Sequence, residues 1–280
     1  VFKSLVRDSL DIITSGSKKY HLWMALLTLI MLIGMYCYSI QLDKGLIVTG
    51  MTDRVSWGLY ISNFTFLVGV AAAAVMLVMP TYVLKDIDFK QAVLIGEGLA
   101  VAALIMCLAF VVADMGGPSV LWHMIPGIGV FNFPNSMLTW DVIVLNGYLF
   151  LNISIPFYIL FRHYQGKKSK KKIYVPGALI SVFWAVAIHL VTAFLYQGLQ
   201  SRPFWNNALL GPRFLASAFA AGPALIIIVL AIIRTYTAFK IEDKVLKKLA
   251  MVVTVAAQIN LIMLIIIINR INHKTFIIFS

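Results

Sequence analysis

Apolar residues along this chain fall in long, nearly unbroken runs separated by short polar loops, so run length carries more information than periodicity. Seven runs are long enough, at about 1.5 Å per residue, to cross a hydrocarbon layer of about 30 Å. They are Tyr20–Leu42, Trp57–Leu84, Gln91–Val112, Trp140–Phe161, Val175–Tyr196, Ala208–Phe239 and Leu246–Asn269. Ahead of them Phe2, Leu5, Val6, Leu10 and Ile13 recur at helical spacing among Lys3, Arg7, Asp8 and Asp11, the pattern of a short helix lying in the headgroup region. That segment has no continuous apolar core, so it is no cleavable signal and the first span reads as the insertion signal. Thr275–Ser280 begins a further apolar run, which reads as a span the sequence does not complete. The expected fold class is all-α, a polytopic transmembrane helix bundle of at least seven spans.

Composition removes the soluble alternatives. With 61% hydrophobic and 12% charged residues, the chain has too little polar surface to coat a globule. A net charge of +12 would suit nucleic acid if it lay on one amphipathic face. Instead the basic residues sit in short loops, where they set orientation, and nucleic acid is not an expected partner. Assigned to the nearer loop, 17 of the 23 Lys and Arg fall on one side of the seven spans. The N-terminus is therefore expected to be cytoplasmic in a multi-pass protein of the cell membrane. The long loop between the third and fourth runs, Ala113–Asp141, carries no Lys or Arg and is expected outside, together with residues 43–56 and 197–207.

The chemistry the residues offer is narrow. Cys37 and Cys107 both lie inside apolar runs and no CxxC pair occurs, so neither zinc nor an iron–sulfur cluster is expected in this chain. A di-haem site needs paired histidines at membrane depth. Only His189 lies there, while His21, His123, His163 and His273 fall near span ends or in loops. Asp114 precedes the helix-stopping Gly116-Gly117-Pro118 and so sits at the negative end of a helix, an unfavourable place for a carboxylate. Asp141 follows Ser136 and Thr139, possible N-caps, and reads as an ordinary helix-start acid. Glu97, six residues into the third span, costs about 2.5–3.5 kcal/mol on insertion scales and needs a partner, a cavity or a ligand. Proton handling and a structural polar contact both answer that need. Asn146, Asn152, Gln258 and Asn260 could join Glu97 and His189 in a polar track, or serve only as interhelical hydrogen bonds. Gly222-Pro223 invites a kink or break in the sixth span. Arg213, near the positive start of that span, calls for an anionic neighbour, and Asp114 is the nearest choice in the outer loops.

Trp57, Tyr60 and Asn63 at the start of the second span, with Trp122 and His123 in the central loop, complete an outer group of aromatic and hydrogen-bonding side chains. Taken singly, each aromatic is an interfacial belt residue. Taken with Asp114, His123 and Arg213, they offer what a quinone head requires: a flat apolar slot, a hydrogen-bond donor and a proton acceptor. The expected quinone-binding set is Trp57, Tyr60, Asn63, Asp114, His123 and Arg213. The expected proton-transfer set is Glu97, Asp114 and His189.

Four stretches carry a family resemblance: WGLYISNFTFLVGVAAA from Trp57, ADMGGPSVLWHMI from Ala113, NFPNSMLTWD from Asn132 and SRPFWNNALLGPRFLASAFAAGP from Ser201. They resemble the NrfD/PsrC family of quinone-interacting membrane subunits, and within it the DsrP branch associated with sulfate reduction through the DsrMKJOP complex, or its archaeal Hme counterpart. The resemblance implies a subunit without haem or cluster that exchanges electrons between menaquinone and a ferredoxin-like iron–sulfur subunit on the outer face, beside other membrane and cytochrome subunits. It also implies two four-helix bundles. The first would be residues 57–196 with the outer loop 113–141, preceded by residues 1–42 as interfacial helix and first span, and residues 208–280 would be part of the second. The family's quinone residues map only loosely onto Tyr60–Phe64, where this chain has no histidine. A secondary transporter, with a broken helix and buried ionisable groups, and a cytochrome b-type subunit are the alternatives from other classes.

Overall fold

The computed structural model describes residues 2–52, 55, 57–83, 89 and 92–279, with the side chains of residues 2, 73, 82, 83 and 272–279 left aside. Leu84, Gln91 and Ser280, and the side chain of His273, lie outside what is described. Among the described residues the chain is helical almost throughout, and seven helices are long and apolar enough to cross a membrane. The α-helices in chain order are α1 (Phe2–Thr14), α2 (Lys18–Lys44), α3 (Leu59–Ala71), α4 (Ala73–Val78), α5 (Val93–Asp114), α6 (Met137–Tyr164), α7 (Lys171–Gln197), α8 (Leu210–Tyr236) and α9 (Asp243–Phe279); the seven crossings are α2, α3 with α4, and α5 to α9. The backbone of α9 is continuous to Phe279, so residues 275–279 extend the last helix and do not start a separate one.

Local chemistry fixes several helix ends. Ser17 caps α2 by accepting the Tyr20 N–H, and α2 closes on Lys44 and on Gly45 at φ 78°, a conformation that favours glycine. Arg162 and His163 occupy the last turn of α6, where cations are favoured by the helix dipole. After α5, Gly116 at φ 73° turns the chain out into the central loop. The loop then forms a 3-10 turn over Pro118–Met124.

The second span differs from its sequence reading. It is interrupted at one residue, Ala72, whose N–H bonds to the Val70 carbonyl. Val75 N–H in turn bonds to the Ala72 carbonyl, so the Ala71 carbonyl loses its helical donor. Beyond α4 the chain continues as a π turn over Met79–Val83. Of the kink or break expected in the sixth span, the break is not there: α8 is continuous from Leu210 to Tyr236 with Pro223 inside it. Gly222 and Pro223 are both buried, and packing holds the helix together through the proline.

One core joins α3, α4, α5, α6 and α7. Phe64, Val68, Ala71, Val75, Leu104, Cys107, Leu145, Tyr148 and Ile188 all meet there and are almost fully buried. A second cluster binds α8 and α9 to it through Leu77, Ile226, Leu230, Val245 and Leu249. Gly69 lets α3 approach α8 so closely that a Cβ on it would stand 3.7 Å from the Ala218 Cα. Helix α2 stands outside this body, with Gln41 its one buried residue among those described. The amphipathic α1 is tied to the end of α6 by the Tyr164 hydroxyl, which donates to Asp8 Oδ2 at 2.6 Å. Four spans separate those two points in the chain, so both lie at the same end of the bundle, the basic end, and the central loop lies at the other.

Candidate functional site

At the central-loop end, four helices leave a cavity of about 240 Å³ lined by Trp57, Ile61 and Phe64, by Val111, Asp114 and Met115, by Leu138 and Asp141, and by Leu195. Its wall is apolar except for two carboxylates. Asp114 is the last residue of α5, partly buried, and its Oδ1 is buried with no hydrogen-bond partner. Asp141 is 1% exposed and accepts a 3.0 Å hydrogen bond from the Thr192 hydroxyl across the α6–α7 interface. Burying a carboxylate on one hydrogen bond is costly, so this group is held ready for a further donor or a proton.

Asp141 is not a helix-start acid facing the loop, and the reason is where α6 begins. The apolar run starts at Trp140, but the helix starts three residues earlier, with Ser136 as N-cap, and this turns Asp141 inward beside buried Thr139. A signal is present in the sequence: Asp141, Tyr148 and Asn152 recur at intervals of seven and four, one face of a helix, and all three are buried. Thr192 and Tyr196 on α7 carry no such mark in an otherwise apolar run, and both are buried on the face that also bears His189.

An aromatic box closes the side of the cavity. Trp57 meets Tyr196 edge-on at 5.0 Å between centroids and lies 5.6 Å from Trp205. Tyr196 is 5.6 Å from Phe214. The Tyr196 hydroxyl is paired with the Thr65 hydroxyl, which fixes the ring. Such contacts hold the Trp57 indole as a rigid wall.

The remaining expected residues divide. Tyr60 is not among the residues lining the cavity; its hydroxyl donates to Gln41 Oε1 at 2.6 Å, while Gln41 Nε2 donates to the Ala113 carbonyl at 2.7 Å. Together these bonds brace the end of α5 that carries Asp114. Asn63 donates to the Leu59 carbonyl of its own helix. His123 is exposed on the central loop against Trp122 and is not among the residues lining the cavity. Arg213 does not reach Asp114. It donates to Asn260 Oδ1 at 3.3 Å and lies over the Phe204 ring, so α9 and an aromatic face supply what an anion was expected to supply.

Deeper in the bundle lies a second polar group. His189 is 2% exposed; its Nδ1 pairs with the Ala185 carbonyl and its Nε2 has no hydrogen-bond partner. Glu97 is 3% exposed with Oε2 unpartnered. Tyr148, fully buried, donates to the Ala71 carbonyl at 3.4 Å. Of the four amides expected to extend this track, Asn152 is buried with it, whereas Asn146 and Gln258 are exposed and Asn260 holds Arg213. Cys107 packs against α3 with its thiol directed at the Phe64 carbonyl. Among the described residues no three His, Cys, Asp or Glu side chains are grouped to hold a metal.

Known proteins give this arrangement a context. Three relatives align over most of the chain. One, from Halobacterium salinarum, is named for a dimethyl sulfoxide reductase membrane subunit and is 25% identical over 232 residues, 78% of this chain and 52% of the relative. The Hdr-like menaquinol oxidoreductase integral membrane subunit of Archaeoglobus fulgidus is 25% identical over 240 residues, 86% of this chain and 58% of its own. A selenate reductase subunit of Mesobacillus selenatarsenatis is 24% identical over 276 residues, covering 87% and 63%. The chain thus spans between 52% and 63% of the length of these relatives. Residues 47–275 match the family described as polysulphide reductase, NrfD. With its helical, membrane-spanning architecture and a match over most of its length, the chain belongs to the NrfD family of integral membrane subunits.

Proposed function

We propose that this chain is the quinone-reactive membrane subunit of a respiratory electron-transfer complex, exchanging electrons between menaquinone or menaquinol and an iron–sulfur partner on the outer face. One observation carries the reading: a single cavity at the central-loop end brings a rigid indole, the Phe64 ring and two carboxylates to one space. Its volume of about 240 Å³ suits a ring system with its chain trailing into the lipid, being below the 300–1,000 Å³ typical of drug-sized sites. Oxidation of one quinol releases two electrons and two protons. The electrons pass one at a time to the partner's cluster, and the protons go to Asp141 and Asp114, the two acceptors in the wall. Thr192 orients Asp141 for that role. In the reverse direction the same carboxylates return protons to the quinone oxygens.

The central loop supports docking of a partner. It carries no Lys or Arg and exposes Val120, Trp122, Ile125, Ile128, Val130 and Phe133, an apolar stretch of the kind that marks an interaction surface. The name of the Archaeoglobus fulgidus relative, a menaquinol oxidoreductase subunit, supports menaquinone as the quinone. The motifs from Asn132 and Ser201 support the DsrP branch, with a ferredoxin-like subunit above the loop and further membrane and cytochrome subunits alongside. An N-terminus on the cytoplasmic side of the cell membrane follows from the charge asymmetry.

The test is purification in mild detergent, identification of co-purifying chains and extracted quinone, and stopped-flow reduction of the partner by a menaquinol analogue. A co-purifying iron–sulfur chain that the quinol reduces is the expected result. Transport of a solute by the isolated chain in vesicles, without a redox partner, would overturn the reading.

A further inference from the structure

The basic end of the bundle holds two features that neither the cavity nor the central loop uses. One is α1. Leu5, Val6, Ile12 and Ile13 share one side of it with Leu10 at the edge, while Arg7 and Asp11 lie opposite. All of these apolar residues except the half-buried Leu5 are exposed. The helix is pinned twice: Asp8 accepts the Tyr164 hydroxyl at the end of α6, and the Ile13 carbonyl accepts the Tyr20 hydroxyl of α2 at 2.9 Å. Its uncovered apolar side therefore keeps a set direction, next to the first turns of α2, which expose Leu22, Trp23, Leu26 and Leu27.

The other is the loop joining α6 to α7. Lys167, Lys168, Lys170, Lys171 and Lys172 place five cations in six residues, and all are exposed. The loop is folded. Gly166 at φ 67° turns the chain, Lys167 N–H bonds to the Arg162 carbonyl, Arg162 Nη2 donates to the Lys168 carbonyl at 3.3 Å, and Lys170 N–H donates to the Tyr158 hydroxyl at 3.2 Å. Arg162 is spent on the loop itself, whereas none of the five lysines has a carboxylate within ion-pairing distance among the described residues. Lys171 and Lys172 also stand in the first turn of α7, where the helix dipole disfavours cations. Like charges held this closely repel one another, and an anionic neighbour outside the chain removes that cost.

Helix length sets the depth of both features. With 28 and 27 residues, α6 and α7 are about 42 and 40 Å long, against a hydrocarbon core of about 30 Å and about 40–45 Å with both headgroup layers. Their connecting loop stands at headgroup level, and α1, tied to Tyr164, lies beside it. Charge bias alone would orient the chain, but it needs neither a folded loop nor an apolar helix alongside. An acidic soluble protein would meet the lysines and leave the apolar side of α1 uncovered, whereas a leaflet meets both, with hydrocarbon below phosphate. We propose that α1 and the 167–172 loop together form a docking surface for an anionic lipid leaflet, the apolar side of α1 in the acyl layer and the lysines on the phosphodiester groups. This surface is independent of the quinone reading.

The experiment reconstitutes the full chain in phosphatidylcholine nanodiscs and compares the association of spin-labelled phosphatidylglycerol and phosphatidylcholine by electron spin resonance. Wild type is expected to favour phosphatidylglycerol by about fivefold or more, the effect of one lysine at an anionic surface, and to lose that preference as added salt screens the charges. The double variants Lys167→Gln with Lys168→Gln, and Lys171→Gln with Lys172→Gln, are each expected to lose most of it. A second measurement leaves every lysine in place: a dye on Val6→Cys, with exposed Cys37→Ser and Cys107 buried, should be quenched by acyl-chain nitroxides and shielded from aqueous iodide. If one double variant fails to insert in the wild-type orientation, the other carries the lipid test, and if both fail the Val6 dye does. Equal association of the two lipids in wild type, an undiminished preference in the variants, or a dye open to iodide overturns the proposal. So does a co-purifying acidic protein that the lysine variants release while the lipid preference stays unchanged.

Discussion

The Thr192 hydroxyl of α7 donates a 3.0 Å hydrogen bond to Asp141 Oδ1 of α6, inside the membrane-spanning bundle and beside the cavity that also holds Asp114. This bond explains how a carboxylate is tolerated at 1% exposure and which way it points. It makes Asp141 the first residue to test. Asp141→Asn keeps the shape and removes the proton acceptor, so quinol oxidation by the assembled complex should fall by roughly 10²-fold or more. Thr192→Val should give a smaller loss by freeing the carboxylate to turn. Asn146→Ala, on the exposed side of the same helix, should match wild type in the same stopped-flow assay.

Asp114 shares the cavity but ends its helix on the open side. Asp114→Asn should also slow quinol oxidation by roughly 10²-fold, and Trp57→Ala should chiefly weaken quinone binding by removing the wall that Tyr196 and Trp205 hold in place. The split between maximal rate and half-saturating quinol concentration, measured with a menaquinol analogue, separates the two roles.

Gln41 is the tie between the outlying α2 and the bundle. Gln41→Leu leaves the Tyr60 hydroxyl and the Ala113 carbonyl without their partners, at about 1–3 kcal/mol for each buried group left unpaired. Lower thermal stability in detergent is the expected result, with a loss of quinol oxidation that follows from a loosened α5 end.

Gly147 packs against the Trp184 indole, which donates to the Val144 carbonyl at 2.8 Å. A methyl group there collides with that ring, so Gly147→Ala should destabilise the α6–α7 pair by about 1–3 kcal/mol, the usual scale for overpacking. Thermal unfolding followed by tryptophan fluorescence reads the shift.

Among the histidines whose side chains are described, His189 is the one buried inside the bundle, so it has no second histidine at membrane depth to pair with. The dithionite-reduced spectrum of the isolated chain is accordingly expected to lack the sharp bands of b-type haem, and their appearance would count against the assignment of redox chemistry to a partner.

The hydrophobic runs determined the class of fold and the number of crossings without any tertiary information, because a segment that must enter hydrocarbon is selected by its own length and polarity. Asp114, Trp57, Glu97 and His189 were likewise legible, since a charge or a polar ring in an apolar run is costly wherever it packs. What the sequence could not decide was which faces of the helices meet. Asp141 reads as a helix-start acid until three more residues of α6 turn it against Thr192, and Arg213 reads as a partner for Asp114 until α9 brings Asn260 to it. A kink or break is expected at Gly222-Pro223, where the residues are weak helix formers, yet the helix there is continuous and the break occurs at Ala72 among strong ones. Local propensity concerns a residue's own backbone; the Tyr148 hydroxyl that reaches the Ala71 carbonyl comes from a distant helix, and only packing brings it there.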